Sequence, residues 1–176
     1  PAAQVTVIPD AYDEGLFHPR ERAACRGDLG IPLDAQVFLY AGLTFSYRGL
    51  EHLVEAFASL RDDFPRARLY LVGGRPAEIA PLQAQAAALG VAARVLFPGQ
   101  VPLAQVPRYL GAADALVIPG TVSDETASPL KMFEYMAMGV PVISVDRPAL
   151  REILPPEGAL FVPPADSAAL EGALRQ

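Results

Sequence analysis

Residues 37–76 read VFLYAGLTFSYRGLEHLVEAFASLRDDFPRARLYLVGGRP. Two continuous apolar runs, Val37–Tyr40 and Arg68–Val72, bracket a segment where Leu50, Leu53, Val54 and Phe57 fall at i, i+3, i+4 and i+7. The runs predict buried strands and the spacing predicts an amphipathic helix. Each strand leads into a glycine-bearing loop, Gly42-Leu43-Thr44 and Gly73-Gly74-Arg75-Pro76. The alternation continues along the chain. Further strands are predicted at Val5–Ile8, Arg94–Phe97, Ala115–Ile118, Val140–Val145 and Ala159–Val162. Helices are predicted at Glu78–Leu89, Leu103–Leu110, Leu130–Met138, Ala149–Ile153 and Ser167–Leu174. Apolar strands separated by helices imply an α/β fold: a Rossmann-like, doubly wound parallel sheet covered on both faces. Ligands of such sheets bind at the carboxyl ends of the strands. That rim collects Gly42, the pair Gly73 and Gly74, the loop Gly99-Gln100-Val101, and Pro119-Gly120-Thr121 with the long segment leading to Ser128.

The segment Ser128–Gly139 carries the chemistry. Lys131 is the only lysine among 14 basic residues; every other cation is arginine. Ser128 is a good N-cap, and Pro129 suits the first helical position. The amides of Leu130 and Lys131 would then point outward beside a cation, which makes an anion site. Glu134 lies one turn on and can accept hydrogen bonds from hydroxyls. Together they suit a nucleoside diphosphate joined to a sugar. The ordinary reading of the same residues is a surface pair, Lys131 with Glu134, contributing roughly 0.2–0.5 kcal/mol. Against it, Phe133, Tyr135 and Met136 flank Glu134. A helix so apolar is largely buried, and a buried carboxylate needs hydrogen-bond partners.

Composition narrows the field. At 176 residues the chain suits one domain, spanning 1–176. It reads as cut from a longer protein, since it opens just before a strand-like run and stops inside a helical pattern. The net charge of −6 argues against a nucleic-acid surface. No run approaches the ~20 apolar residues of a membrane span. Cys25 is alone, which favours cytoplasmic placement, with peripheral membrane contact left open for a longer protein. His18, His52 and Cys25 offer no metal-ligand cluster, and no Asp-x-Asp motif follows a strand.

Taken together and in order, Arg48-Gly49, Gly73-Gly74, Phe97-Pro98-Gly99 and Ser128–Gly139 resemble the C-terminal, donor-binding domain of GT-B glycosyltransferases. More narrowly, they resemble the retaining group 1 family, also called family 4. Ile8-Pro9-Asp10 followed by Leu16-Phe17-His18-Pro19 is similar to that domain's opening. The resemblance implies two facing Rossmann-like domains with a UDP- or GDP-linked sugar between them, no cofactor, no metal, and transfer with retention in glycan biosynthesis. The N-terminal acceptor domain is absent from residues 1–176, so this chain alone is expected to be inactive. The resemblance also assigns residues. Arg48 stands where a cation neutralises the diphosphate, and with Lys131 it would do the catalytic work on the leaving group. Glu134 matches the ribose-binding Glu of a Glu-x7-Glu motif. Gly99, Gln100 and Val101 match a loop whose backbone reads the base. Gly73 and Gly74 match a loop near base and phosphates. Three positions depart from the family. Thr126 stands where the first motif Glu belongs, with Asp124 and Glu125 beside it as candidate sugar contacts. Leu43 replaces a common Arg, and Pro129-Leu130-Lys131 replaces Gly-Leu-Pro. These departures keep a second reading alive, a non-catalytic domain that binds a sugar nucleotide or a protein, and a third, a GT-B sugar-nucleotide epimerase.

Overall fold

The structure, a computed structural model, describes residues 11–120, 130–155 and 157–176. The predicted strand Val5–Ile8 and the segment holding Asp124, Glu125, Thr126 and Ser128 lie outside them. Among the described residues six strands form one parallel sheet: β1 (Gln36–Ala41), β2 (Ala67–Val72), β3 (Val95–Gly99), β4 (Ala115–Ile118), β5 (Val142–Val145) and β6 (Ala159–Val162). Their order is β3-β2-β1-β4-β5-β6. The helices are α1 (Arg22–Leu29), α2 (Leu50–Ala58), α3 (Pro76–Ala88), α4 (Val106–Gly111), α5 (Leu130–Ala137), α6 (Pro148–Arg151) and α7 (Ser167–Leu174). No helix among the described residues is long and apolar enough to cross a membrane.

Side chains of β1 alternate between two cores. Phe38 and Tyr40 join Leu53, Phe57, Leu71, Leu82 and Leu170 on the α2, α3 and α7 side. Val37, Leu39 and Ala41 join Leu110, Leu116, Met132, Tyr135 and Leu150 on the α1, α4, α5 and α6 side. Each of these large side chains contributes roughly 1.5–3 kcal/mol by leaving water. The double burial explains why the strands read as unbroken apolar runs.

Most element ends shift by one or two residues from the sequence expectation, and three differences have a local reason. The helix expected over Leu103–Leu110 is split into a 3-10 turn, Leu103–Gln105, and α4. A continuous helix would place Pro107 against the carbonyl of Leu103, so the α-helix starts late enough to hold the proline in its first turn. β5 begins at Val142 because Pro141 has no amide to donate; its carbonyl accepts from Leu116 N at 2.9 Å. α1 was not expected at all. It buries only Cys25 and Arg26, so no apolar stripe announces it, and it rests on caps instead. Glu21 accepts from the Ala23 and Ala24 amides, and Gly30 closes the other end.

The order of strands reverses direction between β1 and β4, which makes their seam the switch point of the sheet. The two strands pair only at Phe38–Ala115 and Leu39–Leu116, then separate towards their carboxyl ends. Gly42 N donates to Val72 O on the β2 side, so the preceding Ala41 amide faces the opened seam. There it donates to the Tyr135 hydroxyl at 2.7 Å. The fully buried Tyr135 thus fixes α5 against the end of β1.

Candidate active site at the strand switch point

The first three rim loops are stitched together by backbone. Gly73 N donates to Gly99 O at 2.8 Å, continuing the chain of bonds begun by Gly42. A Cβ on Gly73 would lie 2.1 Å from Gly42 O, so glycine there serves loop-to-loop contact. Gly74 packs on buried Thr44, whose hydroxyl donates to Glu78 at 3.0 Å. Glu78 also accepts from the Arg75 amide and side chain. These bonds and the Arg75 guanidinium hold the Glu78 carboxyl below the usual carboxylate range. Among the described residues, then, Gly73 and Gly74 meet their neighbouring loop, and they place it on the rim. Gln100 is exposed after β3, while Val101 packs into the α5-side core.

Two cations meet where the seam opens. Arg48 ends the 3-10 turn Ser46–Arg48, packed against the β4 loop so closely that a Cβ on Gly120 would lie 2.7 Å from Arg48 C. Its guanidinium carbon is 5.0 Å from the Tyr47 ring centroid, and its buried Nε has no hydrogen-bond partner among the described residues. Lys131, in the first turn of α5, reaches across to β1. Its Nζ donates to the Tyr40 hydroxyl at 2.7 Å and lies 4.0 Å from that ring's centroid. Gly42, at φ 147°, makes room for it: a Cβ there would sit 2.6 Å from Nζ. Burial, then repulsion from Arg48, lowers the Lys131 pKa to about 7, with Glu134 opposing part of the drop. Glu134 is half-buried; desolvation raises its pKa and Lys131 opposes that rise. Leu130, the first helical residue of α5, is exposed beside this cluster.

The structure therefore brings Arg48, Gly42, Leu130, Lys131 and Glu134 to one place. It replaces the surface-pair reading of Lys131, because the ammonium bonds Tyr40 across the seam. Sequence reasoning missed Tyr40. The available signal was a tyrosine inside an otherwise apolar buried strand, since a buried phenol needs a hydrogen-bond partner. Asp124, Glu125, Thr126 and Ser128 lie outside the described residues. No group of three or more His, Cys, Asp or Glu able to hold a metal occurs among the described residues.

A doubly wound parallel sheet with two cations at its switch point matches one half of a GT-B fold. Sucrose-phosphate synthase from Thermosynechococcus elongatus superimposes with a TM-score of 0.86 at 32% identity, over 99% of this chain and 43% of that one. Anabaena Alr3699/HepE in complex with UDP-glucose superimposes at 0.82 with 21% identity, over 97% and 46%, which shows the shared fold. The family described as glycosyl transferases group 1 matches residues 35–176. The chain belongs to that family. In sequence it is 32% identical to the D-inositol 3-phosphate glycosyltransferase of Segniliparus rotundus over 145 residues, covering 80% of this chain and 31% of that relative. The chain thus spans less than half the length of these proteins.

Proposed function

We propose that this chain binds a nucleoside-diphosphate sugar, UDP- or GDP-linked, as the donor half of a retaining glycosyltransferase. One observation carries the reading. Lys131 and Arg48 converge on the open end of the β1–β4 seam, with donors to spare, beside a half-buried carboxylate. Two like charges so close are unfavourable without an anion between them. A diphosphate supplies that anion. Arg48, Lys131 and the first-turn amides of α5 would stabilise charge on the leaving diphosphate by preorganised electrostatics. Glu134, one turn deeper, would accept from the ribose hydroxyls. The cations take the role a divalent metal would have. The UDP-glucose held by Alr3699/HepE supports the class of donor. The greater length of the relatives supports a separate acceptor domain that completes the enzyme.

A panel of UDP, GDP, ADP and their sugars, read by thermal shift, tests this. A ligand at 100 times its dissociation constant should stabilise by about 2.7 kcal/mol. Stabilisation should survive EDTA, and residues 1–176 should bind without transferring sugar. Loss of binding on chelation, or robust transfer by this chain alone, would overturn the reading. Thr126 favours a second reading, a binding domain without turnover. Donor-dependent release of nucleoside diphosphate by the full-length protein separates the two.

A further inference from the structure

We infer that Tyr40 is a positioning residue for the donor diphosphate, its hydroxyl holding the Lys131 ammonium over Gly42 at the mouth of the seam. The inference rests on the donor-site reading above and goes beyond it. Tyr40 is the penultimate residue of β1, and its ring is fully buried. The hydroxyl donates to Leu43 O at 2.5 Å, so its single proton is committed to the rim loop. That leaves the phenol oxygen as an acceptor, and Lys131 Nζ donates to it at 2.7 Å. The direction of both bonds is thereby fixed. The ring face adds attraction, with Nζ 4.0 Å from its centroid. On the remaining side the backbone of Gly42 closes in.

A lysine on a flexible stem carries considerable rotamer entropy. Here that freedom is given up before any ligand arrives. Arg48 repels the ammonium, and it is the leading charge among the causes of the lowered Lys131 pKa. Without the Tyr40 hydroxyl the ammonium would swing away from Arg48. With it, the two cations stay paired around the place a diphosphate would fill, and the ammonium keeps two protons for the ligand. The same hydroxyl ties ammonium position to the rim loop through Leu43 O.

The test uses the 176-residue chain and calorimetric titration with UDP, GDP, ADP, uridine and pyrophosphate. Tyr40→Phe keeps the ring and removes the hydroxyl. Affinity for the nucleoside diphosphate that binds best should fall about tenfold, the size of one hydrogen bond to a charged group. Uridine affinity should not change. The decisive comparison is with Lys131→Met. If Tyr40 acts through Lys131, Tyr40→Phe should cost nothing further in that background. A loss that persists in full alongside Lys131→Met, or an unchanged affinity, overturns the inference. Lys131→Arg gives an independent arm that leaves Tyr40 untouched. It keeps the charge but moves it, so it should bind nearly as weakly as Lys131→Met; wild-type affinity would overturn the inference. If the wild-type chain binds no nucleotide, the donor-site reading fails and takes this one with it. If the wild-type chain binds and both Tyr40→Phe and Lys131→Arg match it, the donor site stands and only the role of Tyr40 falls.

Discussion

The two ends of the β1–β4 seam are built from similar parts and do opposite things. At the amino end Arg26, 4% exposed, is saturated: it donates to Ala112 O, Leu33 O, Ala35 O and the Asp114 carboxylate. Asp114 also accepts from Val37 N at 2.8 Å and from Arg22. Every group there has a partner, and the strands are clamped. At the carboxyl end the strands part; among the described residues the Lys131 ammonium bonds the Tyr40 hydroxyl and feels the charge of Arg48, whose buried Nε has no partner. Saturated polar groups in a core fix structure; unsaturated ones store binding capacity at a cost in stability. The difference teaches that burial of a cation does not separate structure from function. The count of its partners does.

Breaking the clamp should give the largest effect. Asp114→Ala leaves the Arg26 charge and the Val37 amide without their shared acceptor. The expected loss is about 2–4 kcal/mol, between the cost of an orphaned donor and that of an orphaned buried charge. Urea midpoints measure it. Affinity of the folded protein for nucleoside diphosphates should stay at the wild-type value. An equal loss in both would mean that the two ends are not independent.

Emptying the other end should do the reverse. Arg48→Met with Lys131→Met should weaken nucleoside diphosphate binding roughly a hundredfold, about 3 kcal/mol for two charge-assisted contacts. Pyrophosphate should lose as much, and a nucleoside nothing. The salt dependence of binding should shrink, because two screened attractions are gone. Stability should not fall. A double variant that binds normally would move the site elsewhere.

Glu134→Gln sharpens the picture within the open end. Glu134 sits one turn past the start of α5, where a ribose would reach in the proposed donor site. Nucleoside diphosphate affinity should fall by about 1–2 kcal/mol, with pyrophosphate affinity retained. Parallel loss of both ligands would assign Glu134 to the phosphates through Lys131.

How much of this was legible beforehand depends on what carried each feature. The six strands were readable because a parallel sheet buries both faces of every strand, so Val37–Tyr40 and Ala115–Ile118 show as unbroken apolar runs. α1 was not, since its caps at Glu21 and Gly30 stand in for an apolar stripe. Within the site, Lys131 and Glu134 were readable from helix grammar and Arg48 from family resemblance. The contact that organises them was not. Tyr40 and Lys131 are 91 residues apart, and only the switch-point topology brings them together. Gly73 and Gly74 were placed near base and phosphates by family resemblance, while their contact with the β1 loop at Gly42 and Thr44 comes from the fold. The reading of Lys131 as half of a surface pair with Glu134 also changes, because the ammonium is desolvated against Tyr40.

That change gives the smallest and most diagnostic effect. Folding lowers the Lys131 pKa from its ordinary value of 10.5 to about 7. Below pH 7 the folded and unfolded chains both hold the proton, and burial of the charged ammonium beside Arg48 costs its full amount. Between pH 7 and 10.5 the unfolded chain holds more protons, so stability rises with pH through this window. Among the described residues, the charged neighbours acting on the ammonium are Arg48 from the 3-10 turn and Glu134 from α5 itself. Tyr40 stays neutral throughout, since burial lifts its pKa well above the usual phenol value. Lys131→Met removes the penalty. The variant should therefore melt above the wild type at pH 6, by about 2–4 °C for a difference near 1 kcal/mol in a chain of this size. The gap should narrow by pH 9. Saturating nucleoside diphosphate should reverse it, because a bound diphosphate holds the proton on Lys131 and stabilises the wild type more than the variant. Melting curves at pH 6, 7.5 and 9, with and without ligand, measure the gap directly. A difference independent of pH would place the titration on another group, and a ligand that stabilises both proteins equally would take Lys131 out of the phosphate site.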